Sequence, residues 1–355
     1  MRKKSPLIIV LSLCLILLVS LTGCSSSSTA QNEKVTLILS THENESSWWC
    51  QNILNPWVEE TEKAGNGKLD IEVHYGGELV GIMDAYDAVV KGTVDMAEVF
   101  PSLVSGQFPL SDINTLASSN KVNYRPGTTY WELIEKFPEM QTEYSQVKLL
   151  GVGQFYEPYL GTVSKPIKTF SDMKGLQFLA NGPASASRLK AWGATPANVP
   201  PSDLFSSLQK GVLQGTAVAL LSFEGMGFGD AIKYLSHVNS DSTNLALIMN
   251  KDKFAGLPED LQKVLTDAGL KFTQEHDEIQ VNADPGFQQS VTEKYGVQFI
   301  DVPQAELEKF EASGAPVRNK LASELDKKGL PGTEVKNYFL ELENKYSAAE
   351  YAPQK

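Results

Sequence analysis

Residues 68–100 read KLDIEVHYGGELVGIMDAYDAVVKGTVDMAEVF, and this stretch decides the fold class. Leu69, Ile71, Val73 and Tyr75 alternate with charged or polar neighbours, the period of a half-buried strand. Gly76-Gly77 ends that strand, Ile82–Lys91 carries helical spacing, and Val94–Phe100 reads as a second strand. Working outward, Lys34–Leu39 predicts a strand. Trp48–Lys63 predicts a helix, because Trp49, Ile53 and Trp57 recur every four residues with Leu54 and Val58 beside them. Downstream, helical pattern covers Thr128–Tyr144, and strands fall near Val147–Val152 and Tyr156–Val163. The alternation then repeats as strand Leu176–Ala180, helices Ala184–Trp192 and Ser202–Lys210, and strand Thr216–Leu221. Thr243–Met249 is a further strand, and Pro258–Asn282 a long helix that Asp284-Pro285-Gly286 stops or kinks. A strand at Val297–Val302 and two charged helices complete the chain. Strands alternating with helices imply an α/β architecture.

The N-terminus carries a different message. Arg2, Lys3 and Lys4 precede an apolar run from Leu7 to Val19, and Leu21-Thr22-Gly23-Cys24 follows. This is the pattern of a secretory signal peptide over residues 1–23, too short and wrongly flanked for a spanning helix. Its end resembles the bacterial lipobox, which makes Cys24 the lipidated first residue of the mature chain. The small polar run 24–32 reads as a tether. The expected location is extracytoplasmic, with the chain held to the bacterial cell membrane through the lipid at Cys24.

Composition narrows the function classes. The net charge is −12, and loss of Arg2, Lys3 and Lys4 with the leader makes the mature chain more acidic still. Excess acid argues against nucleic acid and against adhesion to anionic lipid. Of the three cysteines, Cys14 leaves with the leader and Cys24 takes lipid, so Cys50 has no partner for an intramolecular disulfide. An enzyme would need a nucleophile, base or metal set. His42-Glu43 opens like a zincin helix, but Ser46 stands where the second His belongs. His74, His237 and His276 are scattered, and no G-x-S-x-G elbow occurs. Neither a catalytic set, a cofactor nor a metal is expected.

Seven short segments then fall in one order. They are Gly76-Gly77-Glu78-Leu79, Gly92-Thr93-Val94-Asp95-Met96-Ala97, Lys165-Pro166-Ile167 with Asp172-Met173-Lys174-Gly175-Leu176, Trp192-Gly193-Ala194-Thr195-Pro196, Leu208-Gln209-Lys210-Gly211-Val212 with Gln214-Gly215, Met249-Asn250, and Leu257-Pro258-Glu259-Asp260-Leu261. In this order the chain resembles the solute-binding component of a tripartite ATP-independent periplasmic (TRAP) transporter, from about Val35 to Tyr346. The resemblance implies a bilobal, type II-like periplasmic-binding-protein fold, with two α/β lobes, a hinge and a long lobe-bridging helix. It places lobe one at 33–161 plus 245–285 and lobe two at 162–244 plus 286–355. It also implies a small organic solute bound between the lobes, TRAP permease subunits as partners, and a monomer. An ABC-importer lipoprotein and a sensor-associated binding protein are the alternative readings.

In most of that family an Arg after the K-G-L-K stretch clamps a substrate carboxylate, through the two parallel hydrogen bonds a guanidinium offers. Here the position is Leu179. Three Arg follow the leader: Arg125 and Arg188 are candidates to reach ligand, and Arg318 is expected on the solvated surface. Asn181 precedes Pro183 as a candidate helix cap whose exposed N–H groups would suit an anion. The resemblance brings Trp48, Tyr156, Tyr159 and Phe223 to the cleft border, with Glu43 and Asn44 after the first strand. Phe100 ends the strand of lobe one, and Val218 and Leu220 lie on the apolar strand after Gly215. The expected ligand is a monocarboxylate or an apolar or aromatic acid, in a pocket lined more by carbon than by donors.

Overall fold

The computed structural model describes residues 34–104, 106–200 and 203–352. The leader, Cys24 and the tether lie outside them. Among the described residues no helix is long and apolar enough to cross a membrane.

One mixed sheet runs through the molecule in the order β2-β1-β3-β8-β4-β7-β5-β6, with β9 on β8. Its strands are β1 (Val35–Ser40), β2 (Leu69–His74), β3 (Met96–Val99), β4 (Val147–Thr162), β5 (Gln177–Leu179), β6 (Thr195–Ala197), β7 (Gly215–Val218), β8 (Tyr234–Asn250) and β9 (Gln298–Asp301). The two long strands pair antiparallel along most of their length, from Val147↔Asn250 to Thr162↔Tyr234. The first half of β4 and the last half of β8 belong with β3, β1 and β2. The other halves belong with β7, β5, β6 and β9. Two strands thus cross between two α/β lobes, and bulges at Leu149/Gly151 and Glu157/Tyr159 interrupt them.

Sequence periodicity splits β4 in two and finds only the end of β8. The missing part, His237-Val238-Asn239-Ser240-Asp241-Ser242, is too polar to resemble a buried strand. Most of it is buried nonetheless, with Asn239 donating to the Ser118 and Lys121 carbonyls and Ser240 to the Glu157 carbonyl. The long helix Glu259–Tyr295 does not stop at Pro285, which lies inside it. The expected helix Thr128–Tyr144 is two, Pro126–Lys136 and Pro138–Glu143, since Pro138 cannot supply an N–H to the first.

Within the first lobe β4 is an edge strand, and the long helix covers that edge with side chains. Thr273 Oγ1 accepts from Val152 N–H at 2.9 Å, and Gln280 Nε2 donates to the Gln154 carbonyl at 3.3 Å. These bonds stand in for a missing neighbouring strand. The helix can come this close because Gly269 meets Leu150 and Gly151 without side chains: a Cβ on Gly151 would lie 2.3 Å from the Gly269 carbonyl oxygen.

Two features differ from expectation. The C-terminal helix Gly332–Tyr346, expected with lobe two, buries Val335, Phe339, Leu342 and Tyr346 in the same core as Tyr130, Leu133 and Ile134 of the first lobe. Arg318, expected at the surface, is 3% exposed. It donates to the Leu116 carbonyl and to Glu311, both at 2.6 Å, and so ties its helix to the first lobe.

Candidate functional site

The lobes meet where β1 and β3 end toward β5 and β7. Phe100 and Phe155 share a core with Ala219 and Leu221, so the seam is apolar and closed. Trp48 follows β1 and packs edge-on against Phe287 of the long helix, with centroids 5.0 Å apart. At the end of β5, Gly182 adopts φ 99°, a conformation that favours glycine, and sits beside the Ser102 carbonyl of the first lobe.

Beside this seam lies a cavity of about 190 Å³, bounded by β4 at Tyr156–Tyr159, by Leu220 and Leu221 after β7, and by the long helix from Gln280 to Gln288. The loop Val122–Tyr124 and His237 close it. Both lobes and both connections therefore contribute walls. Tyr156 lines the cavity, and its buried hydroxyl has no hydrogen-bond partner among the described residues. The Tyr159 hydroxyl accepts from Gln288 Nε2 at 2.9 Å and approaches Asp284 Oδ2 at 3.4 Å. Burial raises the pKa of Asp284 and lowers that of His237, disfavouring charge on both. Neither Lys nor Arg lines the cavity among the described residues.

A second polar group sits where β4 faces β8. Glu157 pairs in register with Asp241, accepts from Thr243 Oγ1 at 3.0 Å, and lies 3.3 Å from Asn181 Nδ2. Burial, then the charge of Asp241, pushes the Glu157 carboxyl up to about 8. Asp241 also accepts from Ser185 and lies 3.6 Å from Arg188 Nη1. Arg188 is 1% exposed, and none of its guanidinium nitrogens has a hydrogen-bond partner among the described residues.

The expected residues thus divide. Tyr156, Tyr159 and Leu220 line the cavity. Trp48 touches its wall through Phe287, and Phe100 lies in the seam. Leu179, half-buried, packs on the core that contains Val218 and Phe223, both fully buried. Glu43 stands 3.4 Å from His42, which lies edge-on to Phe100, and Asn44 is exposed. Arg125 pairs with Glu278 at 3.1 Å and Arg188 with Asp241, so neither lines the cavity. Asn181 is not the helix cap; that place belongs to Gly182, and the Asn181 amide turns to Glu157 instead. Asp284, Gln288, Phe287 and His237 were missed as cavity residues. Helical spacing from Gln280 through Asp284 to Phe287 and Gln288 held the signal, had the helix been continued past Pro285.

The fold and the interlobe cavity define an extracytoplasmic solute-binding protein, a non-catalytic carrier. The chain belongs to the bacterial extracellular solute-binding proteins of family 7, whose model matches residues 39–325. It is a TRAP-transporter solute-binding protein. A solute-binding protein of Roseobacter denitrificans is 24% identical over 284 residues, covering 79% of this chain and 86% of that one. A TRAP solute-binding protein of Rhodoferax ferrireducens, solved with copurified benzoate, superposes with a TM-score of 0.82 at 22% identity, over 88% of this chain and 99% of that one. A marine-metagenome TRAP protein specific for aromatic acid ligands, solved with 3-hydroxybenzoate, gives a TM-score of 0.82 at 19% identity, over 89% and 99%.

Proposed function

We propose that this chain captures a compact organic acid with an apolar or aromatic body in the interlobe cavity and delivers it to a TRAP permease. The unpartnered hydroxyl of Tyr156 in the cavity wall carries this reading. A buried donor without a partner costs roughly 1–3 kcal/mol, and a ligand acceptor removes that cost. Size agrees: a cavity of roughly 150 Å³ holds benzene, and this one measures about 190 Å³. Charge agrees as well. Neutral donors such as Tyr156 and Gln280 suit one carboxylate, whereas a second would be buried without a cation. Two relatives of the same fold hold benzoate and 3-hydroxybenzoate.

In this reading Tyr156, Tyr159 and Leu220 contact the solute, while Trp48, Phe100, Leu179, Val218 and Phe223 shape the apolar surroundings. Lobe one comprises 33–161 and 245–285 with the helix 332–346, and lobe two comprises 162–244, 286–331 and 347–355. The protein works as a monomer, tethered through lipid on Cys24. The mass of the mature N-terminus, with or without a diacylglyceryl group on Cys24, decides that last element.

Tyr156→Phe tests the site. Among the described residues that hydroxyl has no hydrogen-bond partner, so thermal stability should be kept or raised, while affinity for the bound acid falls about tenfold. Unchanged affinity would remove the cavity from the binding path.

A further inference from the structure

The cavity contains a carboxyl that the capture of an anion does not explain. Asp284 lies on the long helix one residue before Pro285 and forms part of the cavity wall. Its recorded hydrogen bonds, from Gln288 Nε2 at 3.2 Å and from Tyr159 at 3.4 Å, both reach Oδ2 and are long for bonds to a carboxylate. Apolar neighbours, Phe287, Val281, Leu220 and Leu221, make up much of the remaining wall. No Lys or Arg lines this cavity among the described residues, and burial resists the charge on Asp284. Charged or protonated, a carboxyl held only by these long bonds keeps acceptor capacity for a donor on a ligand.

We propose that Asp284 is a specificity-determining residue that selects acids carrying a hydrogen-bond donor at a distance from the carboxylate, a ring hydroxyl being the simplest. The ligand's carboxylate takes the neutral donors of the β4 side, Tyr156 first, and its hydroxyl donates to Asp284. Such a ligand spans the cavity from β4 to the long helix and so ties the connecting strand to the lobe-bridging helix. The inference rests on the organic-acid reading above and sharpens its substrate class.

Calorimetric titration of the purified protein with benzoate and with each of the three monohydroxybenzoates tests it, alongside Asp284→Ala and Tyr159→Phe variants. At least one hydroxylated isomer should bind tenfold or more tightly than benzoate, a difference of about 1.4 kcal/mol. In Asp284→Ala that isomer and benzoate should agree within about twofold. Tyr159→Phe removes a solute contact and so weakens all four acids, but it leaves the carboxyl and should keep the ratio between that isomer and benzoate. If all four acids bind the parent protein equally, Asp284 does not select and the proposal is overturned, while the organic-acid reading stands. A preference that survives in Asp284→Ala likewise assigns selection elsewhere. If none of the four binds, the organic-acid reading itself fails and the proposal goes with it.

Discussion

Glu157 shows how a single residue can carry both stability and its dependence on pH. Its carboxyl is held at about 8 by burial and by Asp241 opposite, against 4.5 for a free side chain. Between those values the folded chain holds a proton that the unfolded chain releases, so stability is greatest below the lower value and is lost as pH rises through the upper one. Asp112 and Asp277, both pushed up to about 6 by burial, and Glu143 at about 7 act in the same direction. Calorimetric unfolding should therefore show stability falling from pH 5 to pH 9, with up to roughly 4 kcal/mol of the fall due to Glu157. Glu157→Gln should flatten that part of the profile; a slope identical to the parent's would contradict the assignment. This residue was invisible in the sequence, where Tyr156-Glu157-Pro158 resembles any strand end. Only pairing with a polar half-strand turns it into a buried acid. Tyr156 and Tyr159, by contrast, were expected at the cleft border from the family resemblance, and both line the cavity.

The elements were legible wherever period and length agreed. β2 follows the alternation of Leu69, Ile71 and Val73, and the long helix follows the apolar spacing from Leu261 to Phe272. What failed was continuity. The bulges in β4 and the polar run in β8 broke the pattern that a crossing strand would otherwise show. Asp284-Pro285-Gly286 left a stop and a kink both open, and the helix continues, since a solvent-side proline bends a helix without ending it when neighbours hold both halves. The long helix and β4 are matched by Gly151 and Gly269, whose backbones touch. A Cβ on Gly269 would lie 2.2 Å from the Leu150 carbonyl oxygen. Backbone cannot yield as a side chain does, so Gly269→Ala should cost about 3 kcal/mol or more despite the helix preference of Ala. Chemical denaturation measures this; a neutral or stabilising substitution would mean the helix does not cover the β4 edge as described.

For the whole molecule, two crossing strands with bulges near Leu149 and Glu157 and the long helix around Pro285 run between the two lobes. Tyr156, Asp284 and Leu220 line the cavity at that crossing, where the proposed ligand would touch all three. In the proposed reading, ligand contacts made only when the lobes are together would favour closure. The bilobal plan was readable from the order of seven short motifs. The content of the cavity was not, because Leu179 removes the usual clamp without naming what replaces it. The replacement offered here is a pocket of neutral donors around one carboxylate and a carbon-lined body. Isothermal titration of the purified protein with benzoate-class acids and with succinate tests this most directly. At least one single-ring acid should bind saturably at micromolar or tighter affinity, and succinate should not bind. Tight succinate binding, with the single-ring acids silent, would contradict it.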